Sequence, residues 1–553
     1  MMKKVAGMTT RWKLAILALS TVAAISLAPN GFAATSPVLV NGVGASATFN
    51  AMALAAVNSG VCGSNIWTNK TLAYGFDSRS SLISNATGNI WVAWDNSTAP
   101  TTICSYLSVD SIVGNRLFFA TPRGEIVIGS AATTTPGADL IPTLIDNTTG
   151  LPSAVLTALD NQPFNVAFSD IRPEDAMFAT TRALTPLGAG TSGNTSVKGL
   201  GYGPGPIGAN IGSAFSSSYA QVVDYAMSGK DPITGDAIPA YSTINVGAEV
   251  GLVVVNVSDT SAGGLGNPEF TNINRFVLAR VLAGKSTRTR DLVPGTGVPI
   301  VPLNVVLREP ISGTMNTFEY CITNSKEIGI SQELGVNPAI TPATCPFPPC
   351  PAQGNPLDSF SADGAWRKRA IGTGQMVQEV GSNVDTLGYT FFSFGNVNPL
   401  ATGKYANASI GNTGYGKYIM VDGVDPLYAS YNGGTLPTCS APCTNEVTFP
   451  NLLNGTYPIW TIMRVITSAT VPPGVSSLVT AAQTQVATIP DFVPIGALQV
   501  FRSHYTQSGI TGMNGHLPKT VEAGGDVGGA VLTIQTDLDN ITDNGKELTT
   551  LKQ

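Results

Sequence analysis

The sequence is poor in charge. Only 12% of its 553 residues are Asp, Glu, Lys or Arg, whereas an average soluble domain has roughly 25%. The balance is acidic, with a formal net charge of -6. A nucleic-acid backbone needs a broad cationic surface, and the short basic segments at 288–290 and 367–369 do not provide one. We therefore exclude nucleic acid as a partner.

Histidine is also scarce, because the chain has only His504 and His516, both in a Gly-rich tail. A zinc site needs clustered Cys and His ligands at short spacing, so we predict neither a metal nor another cofactor. The sequence also lacks the Gly-x-Ser-x-Gly, His-Glu-x-x-His and Walker motifs of hydrolases and nucleotide-binding enzymes. These absences predict a protein that is not an enzyme.

Long apolar runs are missing except near the N-terminus. Lys3, Lys4, Arg11 and Lys13 precede the uncharged stretch 14–28, which is followed by a small-residue site at Ala33. This pattern predicts a cleavable signal peptide over residues 1–33, since about fifteen apolar residues are fewer than the roughly 20 that span a bilayer. The first cysteine comes much later, so no lipoprotein cysteine is present. We expect a periplasmic or secreted protein, with a retained membrane anchor as the alternative.

Seven cysteines fit an oxidising compartment. Three pairs have a spacing that suits disulfides, and Cys321 is left over, expected as a buried residue on a helix. The candidate pairs are Cys62 with Cys104, Cys345 with Cys350, and Cys439 with Cys443.

Apolar strands alternate with helical segments along the chain, which predicts an α/β fold with mostly parallel sheets. Three strands end in small or hydroxyl residues just before a predicted helix: the turns at 44–48, at Ser169-Asp170 and at 308–314. The Asn- and Ser-rich region 60–115 is expected to be a β-rich insertion, and residues 117–120 are expected to form a strand. In such folds, ligands bind at the carboxyl ends of strands.

The three turns share the equipment that holds an oxyanion. Helix starts present unpaired N–H groups, and Arg308 adds a guanidinium next to several hydroxyls. Ser and Thr also serve as ordinary helix N-caps, so each turn taken singly has a purely structural alternative. The set of three favours an anion site.

These turns resemble segments of a known family. Gly44-Ala-Ser-Ala-Thr-Phe49 resembles the Gly-Ala-Gly-Ala-Thr-Phe segment that opens the mature phosphate-binding proteins of bacterial ABC-type phosphate importers, a family with the type 2 periplasmic-binding-protein fold. Phe168-Ser-Asp170 with Pro173-Glu-Asp175 is similar to their Ala-Ser-Asp segment. Val305-Val-Leu-Arg308 with Ser312-Gly-Thr314 is similar to their Arg-x-x-x-Ser-Gly-Thr block.

Two structural segments extend the resemblance. Residues 246–256 with 270–285 are similar to the family's first crossing strand and following helix, and Leu387-Gly-Tyr389 is similar to its Ile-Gly-Tyr strand. The order of all five segments matches. They span most of residues 38–395, although the matched positions are a minority and the long insertions are particular to this chain.

The resemblance implies a set of ligand-binding residues. Two contact the anion through main chain and hydroxyl, a serine donates to it, an aspartate accepts its hydrogen, an arginine pairs with it, and three more residues cap it. In that order they are Thr48 and Phe49, Ser169, Asp170, Arg308, and Ser312, Gly313 and Thr314. Ser130 is a further candidate, because Gly129-Ser130 is similar to the family's serine-glycine loop, although it lies farther from Ser169 than in the family.

Asp170 would set the chemistry of the ligand. A carboxylate repels an anion unless the anion carries a hydrogen, so Asp170 favours protonated phosphate over sulfate. One departure concerns Arg308: where the family has an aspartate two residues later, this chain has Pro310. The carboxylate that orients the guanidinium is therefore absent unless Glu309 replaces it. The resemblance implies an oxyanion ligand without fixing its identity as phosphate.

The family fold implies two α/β lobes between which the chain crosses twice. We place the first crossing near 247–257 and the return near 418–423. Lobe 1 then combines residues 36–248, including the inserted region at about 60–115, with 424–553. Lobe 2 is 249–423, with a Cys- and Pro-rich insertion at about 335–365. The site would lie in the cleft, and ligand would close the lobes around it.

Three functions follow as hypotheses. The first is an exported, monomeric solute-binding protein for phosphate or a related oxyanion, with the membrane component of an ABC importer as a possible partner. The second is a surface or extracellular interaction protein that retains the fold and uses insertions at 60–115, 130–160 and 335–365. The third is a phosphate-ester hydrolase, for which no activated nucleophile is visible in the sequence.

Overall fold

The computed structural model describes the central part of the chain, almost all of it within one compact unit, Val38–Gln553. The described residues are 36–75, 85–119, 122–126, 128, 137–138, 140–141, 144, 149–171, 173, 239–282, 286–293, 299, 301–308, 312–323, 359–360, 365–370, 372–439, 447–485, 490–505, 521–522 and 528–533. Several predictions concern residues outside these ranges: the signal peptide, Ser130, Glu309, Pro310, Cys345, Cys350 and Cys443.

Strands and helices alternate as predicted, and the α/β class is confirmed. The strands are β1 Val38–Gly44, β2 Asn65–Gly75, β3 Asn85–Trp94, β4 Ile103–Ser108, β5 Val166–Ser169, β6 Tyr241–Asn256, β7 Asn272–Ile273, β8 Asn304–Arg308, β9 Ser359–Phe360, β10 Trp366–Ala370, β11 Thr386–Phe391, β12 Gly416–Val421, β13 Trp460–Ser468, β14 Val493–Pro494, β15 Val500–Tyr505, β16 Val521–Glu522 and β17 Gly528–Thr533. The helices are α1 Phe49–Asn58, α2 Ser111–Phe119, α3 Ser153–Leu159, α4 Arg275–Leu282, α5 Gly313–Thr323, α6 Gly372–Ser382, α7 Phe394–Ala401, α8 Pro450–Leu453 and α9 Pro473–Gln485.

One long strand, β6, joins two halves of a large sheet. The first half runs β2-β3-β4-β1-β5-β13-β6, and the second runs β6-β11-β8-β10-β9. Along β6 the neighbour changes between Val250, which pairs with β13, and Gly251, which pairs with β11. The part of the strand from Val250 to Val255 is an apolar run, and its Val253, Val254 and Val255 are fully buried, as expected of a strand covered on both faces.

Parallel pairs form the centre of each half, β4-β1-β5 in the first and β11-β8-β10 in the second. The antiparallel pairs include those of β6 with β11, β12 and β13, and the hairpin β2–β3 at one edge. Because β1, β4 and β5 are parallel, their carboxyl ends lie at one edge of the sheet. The same holds for β8 and β10, so each half presents a row of strand ends.

Two expectations about the segment 60–120 need revision. β4 is a central strand beside β1, so within the expected insertion only the hairpin β2–β3 extends the edge of the sheet. The strand predicted at 117–120 is wrong, because residues up to Phe119 form the end of α2. Short apolar runs do not distinguish a buried strand from a buried helix end, and here Leu117 and Phe118 are both buried.

The cysteines follow the prediction where they are described. Cys62 and Cys104 form a disulfide that ties the segment after α1 to β4. Cys439 is disulfide-bonded too, and its expected partner lies outside the described residues. Cys321 is buried as a thiol on α5.

Candidate functional site

Residues that follow strands of both halves of the sheet meet in one buried cluster. Asp110 and Ser111 follow β4, Asp170 follows β5, and Arg308 ends β8, five residues before α5 begins at Gly313. Thr373, at the start of α6, follows β10. All five side chains are buried. The carboxyl ends of strands therefore supply the cluster, as expected for an α/β ligand site.

Asp170 contacts elements of both halves. Its carboxylate accepts hydrogen bonds from the hydroxyl of Ser111 and, at 3.4 Å, from the hydroxyl of Thr314 on α5. Its main-chain N–H donates to the Ser111 hydroxyl at 3.3 Å, and its carbonyl accepts from Thr461 at 2.6 Å. Burial raises the pKa of Asp170 to about 6, while the Ser111 hydrogen bond and the charge of Arg308 oppose the rise. Asp170 is therefore poised to exchange a proton near neutral pH.

Gly313 brings the start of α5 against Asp170. A Cβ atom at this position would collide with the Asp170 carboxylate and would lie 2.6 Å from the Ser111 hydroxyl. Only glycine allows this close approach of a helix start to a carboxylate. Ser312, directly before, uses its hydroxyl to accept from the N–H of Met315 at 3.3 Å, as a helix N-cap does.

Arg308 has a carboxylate partner that the sequence reasoning missed. Its guanidinium donates to Asp110 at 2.6 Å in a salt bridge whose side chains are only 1% and 8% exposed. It also donates to the hydroxyl of Thr373 at 2.9 Å, and its main-chain N–H donates to the Tyr389 hydroxyl at 3.0 Å. The charge partner of Arg308 thus comes from the other half of the sheet.

Thr48 ends the turn between β1 and α1, on the first half, and Phe49 follows it. The Thr48 hydroxyl bonds the hydroxyl of Tyr106 at 2.8 Å and the carbonyl of Ala45 at 3.2 Å. Phe49 begins α1, and its ring packs 5.8 Å from that of Tyr106. The link from this turn to Arg308 runs through Ser46, whose hydroxyl lies 2.7 Å from that of Thr373.

Ser169 makes hydrogen bonds within the turn that follows β5 and with α2. Its hydroxyl donates to the carbonyl of Ile171 at 2.6 Å and accepts from the Asn115 amide at 3.2 Å. Of the eight predicted residues, four are linked across the two halves by hydrogen bonds or close contacts: Asp170, Arg308, Gly313 and Thr314. The other four make contacts within their own half: Thr48, Phe49, Ser169 and Ser312.

Asp110, Ser111 and Thr373 were not among the predicted site residues. The segment Ser108–Ser111 has the same strand, small-residue turn and helix pattern as the other three turns. We did not predict this turn, because residues 60–115 were expected to be an insertion and residues 117–120 a strand. Those two expectations are incompatible with a helix that begins at Ser111.

The cluster holds one guanidinium and two carboxylates in a buried setting. Within the ranges that the structure describes, no group of three or more His, Cys, Asp or Glu side chains is arranged to hold a metal ion. No described helix has the length and apolar character that a membrane crossing requires. The cluster can donate hydrogen bonds from its hydroxyls, its guanidinium and a helix start, and its carboxylates can accept hydrogen bonds.

No family model matches the sequence, and no curated protein matches it. Solved structures of phosphate-binding proteins are similar to the chain. The chain is similar to the phosphate-binding protein from Stenotrophomonas maltophilia, at 14% identity and a TM-score of 0.33, covering 83% of this chain and 91% of that one. It is similar to an ABC-type phosphate transport receptor from Vibrio cholerae, at 14% identity and a TM-score of 0.24, covering 47% and 73%.

A third similar structure is described as a phosphate ABC transporter substrate-binding protein with bound phosphate, from Clostridium perfringens. The identity is 15% and the TM-score 0.26, and the match covers 46% of this chain and 72% of that one. The resemblance expected from the sequence is confirmed as a distant likeness to phosphate-binding proteins.

Proposed function

We propose that this protein is an exported solute-binding protein that captures phosphate or a related oxyanion, without catalysis. The observation that carries the proposal is the meeting of Arg308, Asp170 and the start of α5 at strand ends from both halves of the sheet. A guanidinium and a helix start are the groups that proteins use to hold small anions.

The binding cleft would lie between two lobes, 36–248 with 424–553, and 249–423. The change of partner on β6 between Val250 and Gly251 lies beside the first boundary, which supports it. A single strand that passes between two lobes suits a hinge, because rotation there separates Asp170 from α5 without breaking either half.

The charge balance of the cluster selects among anions. When Asp170 is ionised, it and Asp110 outnumber Arg308, so the cluster has no surplus positive charge to attract an anion. An anion that carries a hydrogen satisfies Asp170 as an acceptor, and a protonated Asp170 donates to an anion that has none to give. In both cases one proton lies between ligand and Asp170. Phosphate fits this requirement across neutral pH, whereas sulfate does so only when Asp170 is protonated.

Export through a signal peptide, a periplasmic or secreted location, a monomeric state and delivery of the ligand to an ABC importer belong to the same proposal. The N-terminal pattern at residues 1–33 supports export.

The test is calorimetric titration of the mature protein, starting after residue 33, with phosphate and with sulfate at pH 7. We expect binding heat with phosphate and at least tenfold weaker binding of sulfate. Arg308→Ala should weaken phosphate binding by roughly 100-fold, since it removes a buried charged donor. Asp170→Asn should reduce the ratio of the phosphate affinity to the sulfate affinity.

Arg275→Ala is the matched control, because Arg275 is 43% exposed and pairs with Asp422 away from the cluster. It should bind phosphate as the wild type does. Absence of binding heat with every oxyanion tested would overturn the proposed function.

A further inference from the structure

A cavity of about 460 Å³ adjoins the Arg308 cluster. Thr373 belongs to both, because its hydroxyl accepts from the Arg308 guanidinium at 2.9 Å and its side chain lines the cavity. Ser46, which bonds Thr373 at 2.7 Å, also lines it. Thr373 therefore stands between the Arg308 guanidinium and the cavity.

The cavity is much larger than a free oxyanion needs. A tetrahedral oxyanion takes the space of roughly two or three water molecules, at about 30 Å³ each. A volume of about 460 Å³ lies in the range of roughly 300–1,000 Å³ that is usual for sites of small organic molecules. The space beside Arg308 is sized for an organic group.

The lining is rich in amides and aromatic rings. Four asparagines contribute to it, and an exposed lysine, Lys404, lies among the lining residues. Phe49, Phe394 and Tyr405 line the cavity too, and among the described residues no Asp or Glu lines it. The four asparagines are Asn50, Asn89, Asn396 and Asn398. Amides both donate and accept, which suits hydroxyl groups, and aromatic rings suit the apolar faces of a compact ring.

Starts of helices from both halves hold this cavity in shape. The Asn50 amide at the start of α1 donates to the Ser393 hydroxyl at 3.3 Å, and Ser393 caps α7 by accepting from Asn396 N–H at 3.1 Å. The cavity wall thus depends on the same contact between halves as the Arg308 cluster does, so a ligand that spans both is enclosed when the halves meet.

We propose that the ligand is a sugar phosphate, that is, a phosphomonoester of a polyhydroxylated ring. Its phosphoryl group binds at Arg308 and Asp170, and its ring fills the cavity lined by the asparagines. This inference rests on the proposed function and narrows its ligand class. A phosphomonoester keeps three acceptor oxygens and has a second pKa near 6, so at pH 6 about half of it carries the hydrogen that Asp170 accepts. A protonated Asp170 donates to the remainder.

Gly374 offers a direct way to fill the cavity. It lines the cavity, and a Cβ atom added there would have no heavy atom within 4 Å. Gly374→Trp therefore adds an indole ring at the wall of the cavity without a clash at its Cβ atom. Gly496→Trp is the matched control, because Gly496 is exposed, has equally open surroundings and does not line the cavity.

The experiment titrates the mature protein with glucose 6-phosphate, inorganic phosphate and glucose by calorimetry at pH 6, where both phosphate compounds carry a hydrogen in part or in full. We expect glucose 6-phosphate to bind at least tenfold more tightly than inorganic phosphate, and glucose alone not to bind. In Gly374→Trp, glucose 6-phosphate should lose at least tenfold more affinity than inorganic phosphate does, while Gly496→Trp keeps the wild-type ratio. Thermal unfolding of both variants checks that they are folded.

Two results would overturn the inference in distinguishable ways. If inorganic phosphate binds as tightly as glucose 6-phosphate, and a panel of hexose and pentose phosphates gives the same result, the sugar-phosphate ligand is wrong while the proposed oxyanion function stands. If no phosphate compound binds, both fail together.

Discussion

Arg308 and Asp110 form a buried salt bridge, 2.6 Å long, between strand ends that belong to different halves of the sheet. Two consequences follow from its position. The carboxylate that neutralises the guanidinium comes from the other half of the sheet, and the pair is almost completely buried. The pair therefore couples the charge state of the candidate site to the contact between the halves.

Asp110→Asn should destabilise the ligand-free protein. It removes the negative charge that faces a guanidinium with only 1% exposure, and loss of one partner of a buried ion pair costs about 3 kcal/mol. Saturating phosphate should restore more stability to this variant than to the wild type, because the ligand supplies the missing negative charge. Thermal unfolding with and without phosphate measures both effects.

The control for this prediction is Arg275→Ala, which breaks a salt bridge at the surface. Exposed pairs contribute roughly 0–1 kcal/mol, so its melting temperature should stay close to that of the wild type. Equal losses in the two variants would show that the Arg308 pair is no more than a surface-type interaction.

Gly313→Ala should destabilise the protein and weaken oxyanion binding. The added methyl group would collide with the Asp170 carboxylate, and such overpacking typically costs 1–3 kcal/mol. Gly374→Ala makes the same chemical change in the first turn of α6, where the space is open, and should be neutral or stabilising by about 0.5 kcal/mol. Urea unfolding of the two variants compares them. A Gly313→Ala protein as stable as Gly374→Ala would mean that α5 does not rest on Asp170.

How much of the site the sequence reveals depends on whether each signal is local. The turns at Asp170 and Arg308 follow apolar strands, so a pattern of a few residues places both at strand ends, where they are found. The partner of Arg308 is different. Asp110 is 198 residues away in the chain, and no local pattern connects them.

The large sheet shows the same limit. The strand 246–257 is predicted from its apolar run, and β6 covers most of it. That β6 changes neighbours between Val250 and Gly251 depends on strands β11 and β13, which lie more than a hundred residues later. Pairing between distant strands is decided by packing, which the periodicity of a single segment does not specify.

The disulfide between Cys62 and Cys104 should contribute measurably to stability. It closes a loop with a sequence separation of 42 residues, for which the chain-entropy model gives about 4 kcal/mol. The double variant Cys62→Ser with Cys104→Ser should therefore melt well below the wild type. Reduction of the wild type, which also breaks the disulfide of Cys439, should lower its melting temperature by at least as much. Cys321→Ser changes a buried thiol outside this loop and serves as the control. Unchanged melting of the double variant would contradict the prediction.

The pH dependence of stability should reveal the burial of Asp170. Its pKa rises from the ordinary 3.8 to about 6 in the folded protein, chiefly through burial. Because the folded state then holds the proton more tightly than the unfolded chain, the contribution of Asp170 to stability is greatest below about pH 4. That contribution falls as the pH rises to about 6 and stays low above it, a change of about 3 kcal/mol at most.

Asp170→Asn removes this titration and leaves the other buried carboxyls in place. Asp385 and Asp491, whose pKa values burial raises to about 7, titrate in both proteins and cancel in the comparison. Urea unfolding in phosphate-free buffer from pH 4 to pH 7 should therefore show the variant gaining stability relative to the wild type as the pH rises. If the difference between the two proteins stays constant over this range, Asp170 is not protonated in the folded state at pH 5, and the proton that the site shares with its ligand must come from the ligand alone.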